Sequence, residues 1–408
     1  MTTKKTVIMF VIAFFLFTFI SMITTAQKDL QDKLQELVDT ELATYKEKVP
    51  DYPGGLAMKV ISKQGTFFVS AGMGTDITDQ IHFRAASNTK TFTATAILLL
   101  HQQGKLDINH KIIDAIPGTN QPYVPDTPEY NIPYKDSITI LDLLRHRAGI
   151  FDISNNPVPD TVSAQVPYKG LNYIEYILDS DPMHTFTFDE LVNVVAQCEL
   201  SYFIPNTGYH YSNTGYSILG KIIERVSQKS YQQFLMEDII LTMGLQNTSM
   251  PVLGTDQNIP EPFVPGYILT ADSLVNVTLS NMSANVAEGN LITTPNDLGH
   301  FLKKLLSGQG VLSPHLVNSV MMNNLPAGSI YAGGYGCGLT YLNNLGYGHN
   351  GAHEGYLSQM AYDPQTGFTV VVFTNCWNLK DDMSTLLDQL IYLLENNCYK
   401  AKQIVNAP

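Results

Sequence analysis

The sequence predicts an α+β fold, an antiparallel sheet built from both chain ends and flanked by helices, with a mostly helical inserted lobe. Three observations predict it. Two β-rich runs lie near the N-terminus in residues 55–74, and two more lie near the C-terminus in residues 355–375. The segments between them show helical periodicity mixed with long loops. The simplest architecture for this order is one sheet with helices packed on it, and a cleft beside the inserted lobe.

The N-terminal half begins with a helix predicted in residues 29–48, where leucines recur at helical spacing. Residues 55–74 form a hairpin by pattern, with a Lys-Gln-Gly break between its strands. An apolar helix is predicted over residues 87–103 and ends at Gly104. Residues 107–207 are rich in proline and tyrosine and carry only short helical patterns. We expect this helical and loop-rich insertion to shape a binding cleft.

The C-terminal half alternates helices with strands. One amphipathic helix is indicated around residues 218–226, and another is capped by Thr294 or Asn296 and stops at Gly308. Strands follow in residues 333–342 and 355–375, the latter two joined by a Pro-Gln-Thr-Gly turn. A last helix carries its apolar side chains on one face, namely Met383, Leu386, Leu387, Leu390, Ile391 and Leu394.

Residues 1–26 are predicted to be an export signal. Lys4 and Lys5 form its charged start, residues 7–23 are apolar, and small residues before Gln27 suit a cleavage site. The alternative is an uncleaved membrane anchor, because the apolar run is long. No cysteine follows the run, which excludes a lipoprotein anchor. We therefore expect a periplasmic or secreted protein with one domain in residues 27–408, attached to a membrane only if the signal is retained.

Composition excludes several classes of function. The 408 residues are 44% hydrophobic and 15% charged, as in a globular protein. The formal charge of −13 argues against a nucleic-acid partner, because phosphate binding needs a basic surface. The cysteines form no Cys-x-x-Cys pair, so no zinc ribbon or thioredoxin-type site is indicated, and no cofactor is expected. Disulfides and free thiols remain alternatives for Cys198, Cys337, Cys376 and Cys398.

The first candidate site is Ser87-Asn88-Thr89-Lys90, at the start of the predicted apolar helix. Residues i and i+3 share a helix face, so the lysine amine can reach the serine hydroxyl. A serine becomes a good nucleophile when a base takes its proton, and a lysine with a lowered pKa can be that base. Alone, however, a Ser-x-x-Lys match is expected about once by chance in a chain of this length.

The second candidate is Tyr211-Ser212-Asn213, in a glycine-containing loop before the amphipathic helix. A tyrosine hydroxyl can relay a proton, and an asparagine amide can hold both a lysine and a substrate carbonyl. The competing interpretation is a turn with an aromatic packing residue.

The third candidate is His349-Asn350-Gly351, followed by Ala352. Glycine in a predicted strand indicates close approach by another group. A lone histidine is more often structural than catalytic, but this motif lies near the C-terminal strand pair, which is expected to pair beside the serine helix.

The sequence lacks the motifs of three other kinds of site. His353-Glu354 lacks the second histidine of a zinc-protease helix, and no glycine-rich phosphate loop is present. Gly215 lacks the partner glycine of a nucleophile elbow, so an α/β-hydrolase is not supported.

In this order, the three motifs resemble those of the penicillin-recognising serine hydrolases, whose pattern is SxxK, SDN and KTG. The branch with a tyrosine in the second motif is more similar: class C β-lactamases, serine D-alanyl-D-alanine carboxypeptidases and esterases. The sequence segments that flank the motifs are also similar, so the resemblance covers roughly residues 50–395. The resemblance implies a β-lactamase/transpeptidase-like fold.

The resemblance also implies roles. Ser87 is the nucleophile that becomes acylated, while Lys90 and Tyr211 share the proton transfers, with the identity of the base left open. Asn213 holds Lys90 and the substrate amide. His349 orients Tyr211 or meets the substrate carboxylate. The backbone N–H groups of Ser87 and Ala352 form the oxyanion hole, and Asn350, Gly351 and Ala352 line the substrate site.

The third motif departs from the family pattern because it reads His-Asn-Gly instead of Lys-Thr-Gly. A mostly neutral imidazole replaces a permanent cation, which argues against efficient β-lactam hydrolysis. The expected activity is therefore that of a D-alanyl-D-alanine carboxypeptidase-like peptidase on a peptide, ester or other small-molecule substrate. The alternatives are a carboxylesterase or weak β-lactamase, and a non-catalytic protein that binds cell-wall peptides or β-lactams. The oligomeric state is left open.

Overall fold

The computed structural model describes the backbone of residues 2–328, 331–381 and 385–407, and the side chains of residues 25–328, 333–381 and 385–407. Its strands are β1 (Leu56–Ile61), β2 (Thr66–Ala71), β3 (Phe83–Arg84), β4 (Tyr267–Thr270), β5 (Leu274–Asn276), β6 (Ile292–Thr293), β7 (Leu325–Ala327), β8 (Tyr331–Tyr335), β9 (Thr340–Leu342), β10 (Gly346–His353), β11 (Tyr356–Tyr362), β12 (Thr369–Thr374) and β13 (Cys376–Leu379). Its α-helices are α1 (Thr2–Lys48), α2 (Thr89–Gln102), α3 (Ile140–Leu144), α4 (Tyr173–Ser180), α5 (Phe188–Gln197), α6 (Asn213–Ser227), α7 (Tyr231–Leu235), α8 (Leu241–Met243), α9 (Pro295–Leu306), α10 (Pro314–Leu316) and α11 (Thr385–Asn406). Shorter turns of 3-10 helix lie at Ala86–Asn88, Pro128–Tyr130 and Ser283–Asn285, and π-helical turns at Met236–Ile240 and Val317–Met321.

The main sheet has eight strands in the order β2-β1-β12-β11-β10-β9-β8-β7. All of its neighbouring strands run antiparallel. The two chain ends meet where β1 pairs with β12, with Leu56 opposite Thr374. This sheet confirms the predicted fold class. A three-stranded sheet of β13, β4 and β5, and a β3–β6 pair, were not predicted.

Both faces of the sheet are covered by helices, and β12 shows why. Its side chains alternate between two hydrophobic cores: Val370 and Val372 enter one, and Val371 and Phe373 enter the other. Successive strand residues point to opposite faces, so a strand that is apolar throughout needs a core on each side. Helices α1 and α11 cover one face, and α9 covers the other. Met383, which the prediction placed in the last helix, lies outside the described residues.

Two helix starts differ from the sequence prediction. The chain enters α2 through the 3-10 turn Ala86–Asn88, so Ser87 precedes the α-helix instead of beginning it. Helix α6 begins at Asn213, where the Ser212 hydroxyl accepts the Gly215 N–H at 3.1 Å. That cap lets the helix begin before its apolar face. Thr294, and not Asn296, caps α9.

The predicted insertion at 107–207 holds α3, α4, α5 and the turn Pro128–Tyr130 among long loops. Its α5 packs against α6, and α6 packs against α2. The insertion therefore contacts α6, which in turn contacts the helix that follows Ser87.

The predicted export signal lies on residues 1–26, and the side chains of its apolar run, 7–23, lie outside the described residues. Among the residues that are described, no helix is both long and apolar enough to cross a membrane. All four cysteines are free thiols and are buried.

Candidate active site

The turn that carries Ser87 is fixed by side-chain hydrogen bonds. Asn88 Nδ2 donates to the Ala85 carbonyl at 2.7 Å and to Ser358 Oγ on β11 at 2.8 Å. Thr89 Oγ1 donates to the Ala86 carbonyl at 2.7 Å. Ala86 has a φ of +49°, which is strained for a residue with a Cβ. The hydrogen bonds hold the turn in this strained conformation. The partly exposed Ser87 hydroxyl then lies at the cleft.

Lys90 lies one helical turn after Ser87, as the spacing predicted. Its side chain is 0% exposed, and Nζ donates to Ser87 Oγ at 3.1 Å. Burial lowers the pKa of Lys90, while the nearby Glu288 carboxylate opposes that shift. The ammonium also lies 4.7 Å from the centroid of the Tyr211 ring. An amine with a lowered pKa in contact with a serine hydroxyl can accept its proton.

Glu288 lines the cleft and pairs with Lys90, and the sequence reasoning missed it. Its Oε2 accepts from Lys90 Nζ at 3.1 Å, and its backbone carbonyl accepts from the same atom at 2.9 Å. Asn285 Nδ2 donates to its other carboxylate oxygen at 2.6 Å. Burial raises the pKa of Glu288, and the charge of Lys90 opposes the rise. The only signal in the sequence is a lone acid before Gly289 in an apolar stretch.

Tyr211 and Asn213 both line the cleft with Ser87. The Tyr211 ring packs against the His146 ring, with centroids 4.3 Å apart. Asn213 does not hold Lys90 in the way expected, since the described contacts of Lys90 Nζ go to Ser87 and Glu288. Within the described part of the chain, Asn213 Oδ1 is buried and has no hydrogen-bond partner. Asn213 thus brings to the cleft wall an amide oxygen that the described residues leave unpaired.

His349 lies behind the cleft and does not line it. The imidazole is 0% exposed, and its Nδ1 lies 2.6 Å from the Asn350 carbonyl, which can only accept. Nδ1 therefore donates, and Nε2 accepts from the Tyr335 hydroxyl at 2.9 Å. Burial, reinforced by the charge of Lys90, lowers the pKa of His349 to about 3. The ring is neutral and cannot reach a substrate carboxylate; its ring centroid lies 6.2 Å from that of Tyr211.

Gly351 is needed for the close packing of β10 against the serine turn. A Cβ at this position would lie 2.2 Å from the Ala85 carbonyl oxygen and 2.8 Å from Asn88 Nδ2. The flanking Asn350 and Ala352 line the cleft. The structure thus brings all three predicted motifs together, with the His-Asn-Gly strand pressed against the turn that holds Ser87.

The cleft encloses about 700 Å³. Its charged lining consists of three acids, Glu175, Glu288 and Glu354, and none of the described lining residues is lysine or arginine. Burial raises the pKa of Glu354, and the charge of Glu175 adds to the rise. Apolar side chains form part of the remaining wall: Ile174, Leu178, Val277, Leu279 and Trp377. Among the described residues, no group of three or more His, Cys, Asp or Glu side chains could hold a metal ion.

The fold and this site define the class of protein: a serine hydrolase with the β-lactamase/transpeptidase fold, in which a serine, a buried lysine and a tyrosine meet at one cleft. The chain belongs to the Beta-lactamase family, whose model matches residues 47–392. The resemblance to penicillin-recognising serine hydrolases is thereby confirmed.

Individual relatives are distant. Protein flp of Staphylococcus aureus is 24% identical over 357 residues, which cover 85% of this chain and 63% of that protein. A penicillin-binding protein of Bacillus subtilis is 32% identical over 167 residues, 41% of this chain and 30% of its own length. This chain thus spans less than two thirds of these relatives.

Among solved structures, a D-amino acid amidase from Ochrobactrum anthropi, complexed with L-phenylalanine amide, superposes with a TM-score of 0.71. The two are 24% identical, and the match covers 93% of this chain and 100% of the amidase. At this identity the likeness establishes the fold.

Proposed function

We propose that the protein hydrolyses amide or ester bonds through an acyl-enzyme on Ser87. One observation carries the proposal: a serine hydroxyl at the cleft with a buried lysine Nζ 3.1 Å from it. Burying a charged amine costs free energy, which the hydrogen bonds from Lys90 to Glu288 offset. A non-catalytic binding protein has no need of a buried amine in contact with a serine hydroxyl. The enzyme alternative is therefore favoured over the binding alternative.

In the proposed reaction, Lys90 and Tyr211 take the Ser87 hydroxyl proton as Oγ bonds to the substrate carbonyl carbon. The backbone N–H groups of Ser87 and Ala352 hold the resulting oxyanion. Asn213 Oδ1 accepts a hydrogen bond from the substrate amide. Collapse of the intermediate breaks the bond to the leaving group, which receives the proton. Water then attacks the acyl-enzyme, its proton passes through Lys90 and Tyr211 to Ser87 Oγ as the acyl bond breaks, and the acid and free Ser87 are released.

The charge of the cleft supports a substrate class. A D-alanyl-D-alanine peptide or a β-lactam carries a carboxylate, and the described lining holds no lysine or arginine to meet it. Its acids are Glu175 and Glu354, besides Glu288, which is ion-paired with Lys90. Arg84 is buried and does not line the cleft; it donates to the carbonyls of Gln257 and Thr278. We therefore favour an amide or ester that is neutral or bears an ammonium group over the carboxypeptidase substrate that the resemblance implied. The fold shared with a D-amino acid amidase supports the same choice.

Export to the periplasm or the medium is also proposed, on the basis of the charged start and the apolar run of residues 1–26. N-terminal sequencing of the protein from its native host would show cleavage before Gln27, or a retained segment if the run is an anchor.

The test compares p-nitrophenyl acetate, alanine p-nitroanilides with free or acetylated amines, an N-acylated D-Ala-D-Ala peptide and a chromogenic cephalosporin. We expect turnover of the ester, preference for the free-amine anilide, and an acyl adduct on Ser87 by intact-mass spectrometry. Ser87→Ala should abolish all of these. Ser307→Ala, at the C-terminal end of α9 and outside the cleft, is the matched control. No adduct and no turnover, with Ser87→Ala equal to the wild type, would refute the proposal.

A further inference from the structure

The three protons of the Lys90 ammonium have three acceptors. These are Ser87 Oγ at 3.1 Å, the Glu288 carbonyl at 2.9 Å and Glu288 Oε2 at 3.1 Å. An ammonium in this arrangement has no lone pair with which to take the Ser87 proton. One proton must first leave, and the carboxylate is the only one of the three acceptors basic enough to bond it covalently.

The surroundings favour that transfer. Lys90 is 0% exposed and Glu288 is 2% exposed, so both charges are out of water. Burial lowers the pKa of Lys90 and raises that of Glu288, and both shifts favour an amine beside a carboxylic acid. Asn285 fixes the carboxylate from its other oxygen at 2.6 Å.

Other titratable groups surround this pair. The Asp152 carboxylate is buried and raises the pKa of both Lys90 and Glu288. The pKa values of His146 and His349 are lowered, first by burial and then by the charge of Lys90, so both rings are neutral. Three tyrosines complete the set: Tyr211 and Tyr216, whose rings lie near Lys90 Nζ, and Tyr231, which interacts with Glu288.

We propose that Glu288 stores the proton that Lys90 must lose before it can act on Ser87. This inference rests on the proposed acyl-enzyme function. Glu288 acts through Lys90 and does not touch the reacting atoms, so it is a positioning residue in the proposed reaction.

The proton count balances. One proton moves from Nζ to Oε2, which turns the ammonium and carboxylate into an amine and a carboxylic acid without changing the net charge. The amine takes the Ser87 proton as Oγ bonds to the carbonyl carbon, and passes it to the leaving group. In deacylation it takes a proton from water and returns it to Oγ. Glu288 then gives its stored proton back to Lys90.

The experiment measures kcat/KM for p-nitrophenyl acetate across the pH range in which the enzyme is stable, with Ser87→Ala as the background. In Glu288→Gln the amide still accepts from Lys90 but cannot store a proton. We expect kcat/KM of this variant to fall by about 10²-fold at pH 7 and to recover in part at alkaline pH. The acid limb of the pH profile, where kcat/KM falls as the pH is lowered, should move upward by at least about one pH unit. Glu288→Asp should return the limb towards its wild-type position. Glu224→Gln is the matched control and should not move it, because this half-buried acid accepts from the Tyr231 backbone N–H at 3.1 Å and lies outside the active-site cleft.

Two outcomes would overturn the inference. A loss that is equal at every pH means that Glu288 only holds Lys90 in place. A limb displaced downward, with faster turnover at pH 7, means that Glu288 only stabilises the ammonium. If Glu288→Gln does not fold, Asn285→Ala replaces it as the test variant. The Asn285 hydrogen bond lowers the pKa of Glu288, so its loss should move the acid limb to higher pH. Turnover that is absent in the wild type contradicts the proposed function itself, whereas an unmoved limb with an inactive Ser87→Ala contradicts only the role of Glu288.

Discussion

Gly351→Ala is the most direct test of how the third motif positions the nucleophile. The added Cβ would lie 2.2 Å from the Ala85 carbonyl oxygen, 2.7 Å from Ser358 Oγ and 2.8 Å from Asn88 Nδ2. The carbonyl is backbone, so relief of this clash requires the turn or the strand to move by about 1 Å in a close-packed interior. Ala85 is two residues before Ser87, so this movement displaces the nucleophile.

The substitution should lower both the stability and the rate. Overpacking of this kind costs about 1–3 kcal/mol of unfolding free energy. A displacement of about 1 Å at the reacting atom costs about 10²-fold in rate. Urea unfolding reports the first, and kcat/KM for p-nitrophenyl acetate reports the second. The variant should therefore fold, with lower stability and a disproportionately low rate.

Gly299→Ala is the matched control for this prediction. It is also a buried glycine, but its Cβ would meet Ile61 at 3.4 Å and Val371 at 3.7 Å, which are ordinary contacts. A helical glycine replaced by alanine gains about 0.5–1 kcal/mol, so we expect equal or higher stability and an unchanged rate. If Gly351→Ala behaves like Gly299→Ala in both measurements, the packing argument is wrong.

Two further predictions concern buried groups. The four cysteines are all buried, and burial raises the pKa of each thiol, that of Cys337 to about 11. A thiol reagent should therefore label none of them in the native protein and all four after denaturation. Labelling of the native protein would contradict the burial. The pKa of His349 falls from 6.5 to about 3 on folding, so between these pH values the unfolded chain binds the extra proton and stability falls as pH falls. His349→Gln should reduce the acid-side slope of unfolding free energy by about 1.4 kcal/mol per pH unit, measured by urea unfolding at several pH values, and an unchanged slope would place the imidazole in water.

Local pattern was sufficient for most of the fold. Alternating and helical apolar spacing predicted the terminal strands and the flanking helices, because each strand and helix must bury its own apolar face. The β13–β4–β5 sheet was not predicted, since its short strands are joined by contacts between distant segments. The start of α6 was misplaced because a serine cap extended the helix before its apolar stripe begins.

In the candidate site, contacts within one element were predictable and contacts between distant segments were not. Ser87 and Lys90 are three residues apart, so helix geometry alone predicted their contact. Glu288 lies 198 residues from Lys90 in the chain, and nothing local marks it as a partner. His349 was expected to orient Tyr211 or to meet the substrate carboxylate, but the register of β10 turns its side chain into the interior beside Tyr335.

The sequence by itself determined the class of fold and the candidate pair Ser87 and Lys90, because apolar periodicity and the order of the three motifs are set by residue type and spacing along the chain. Only the tertiary structure decided which carboxylate faces that lysine, which charges line the cleft and which histidine is sealed from solvent. Those properties depend on distances and burial between segments far apart in the chain, and packing fixes both.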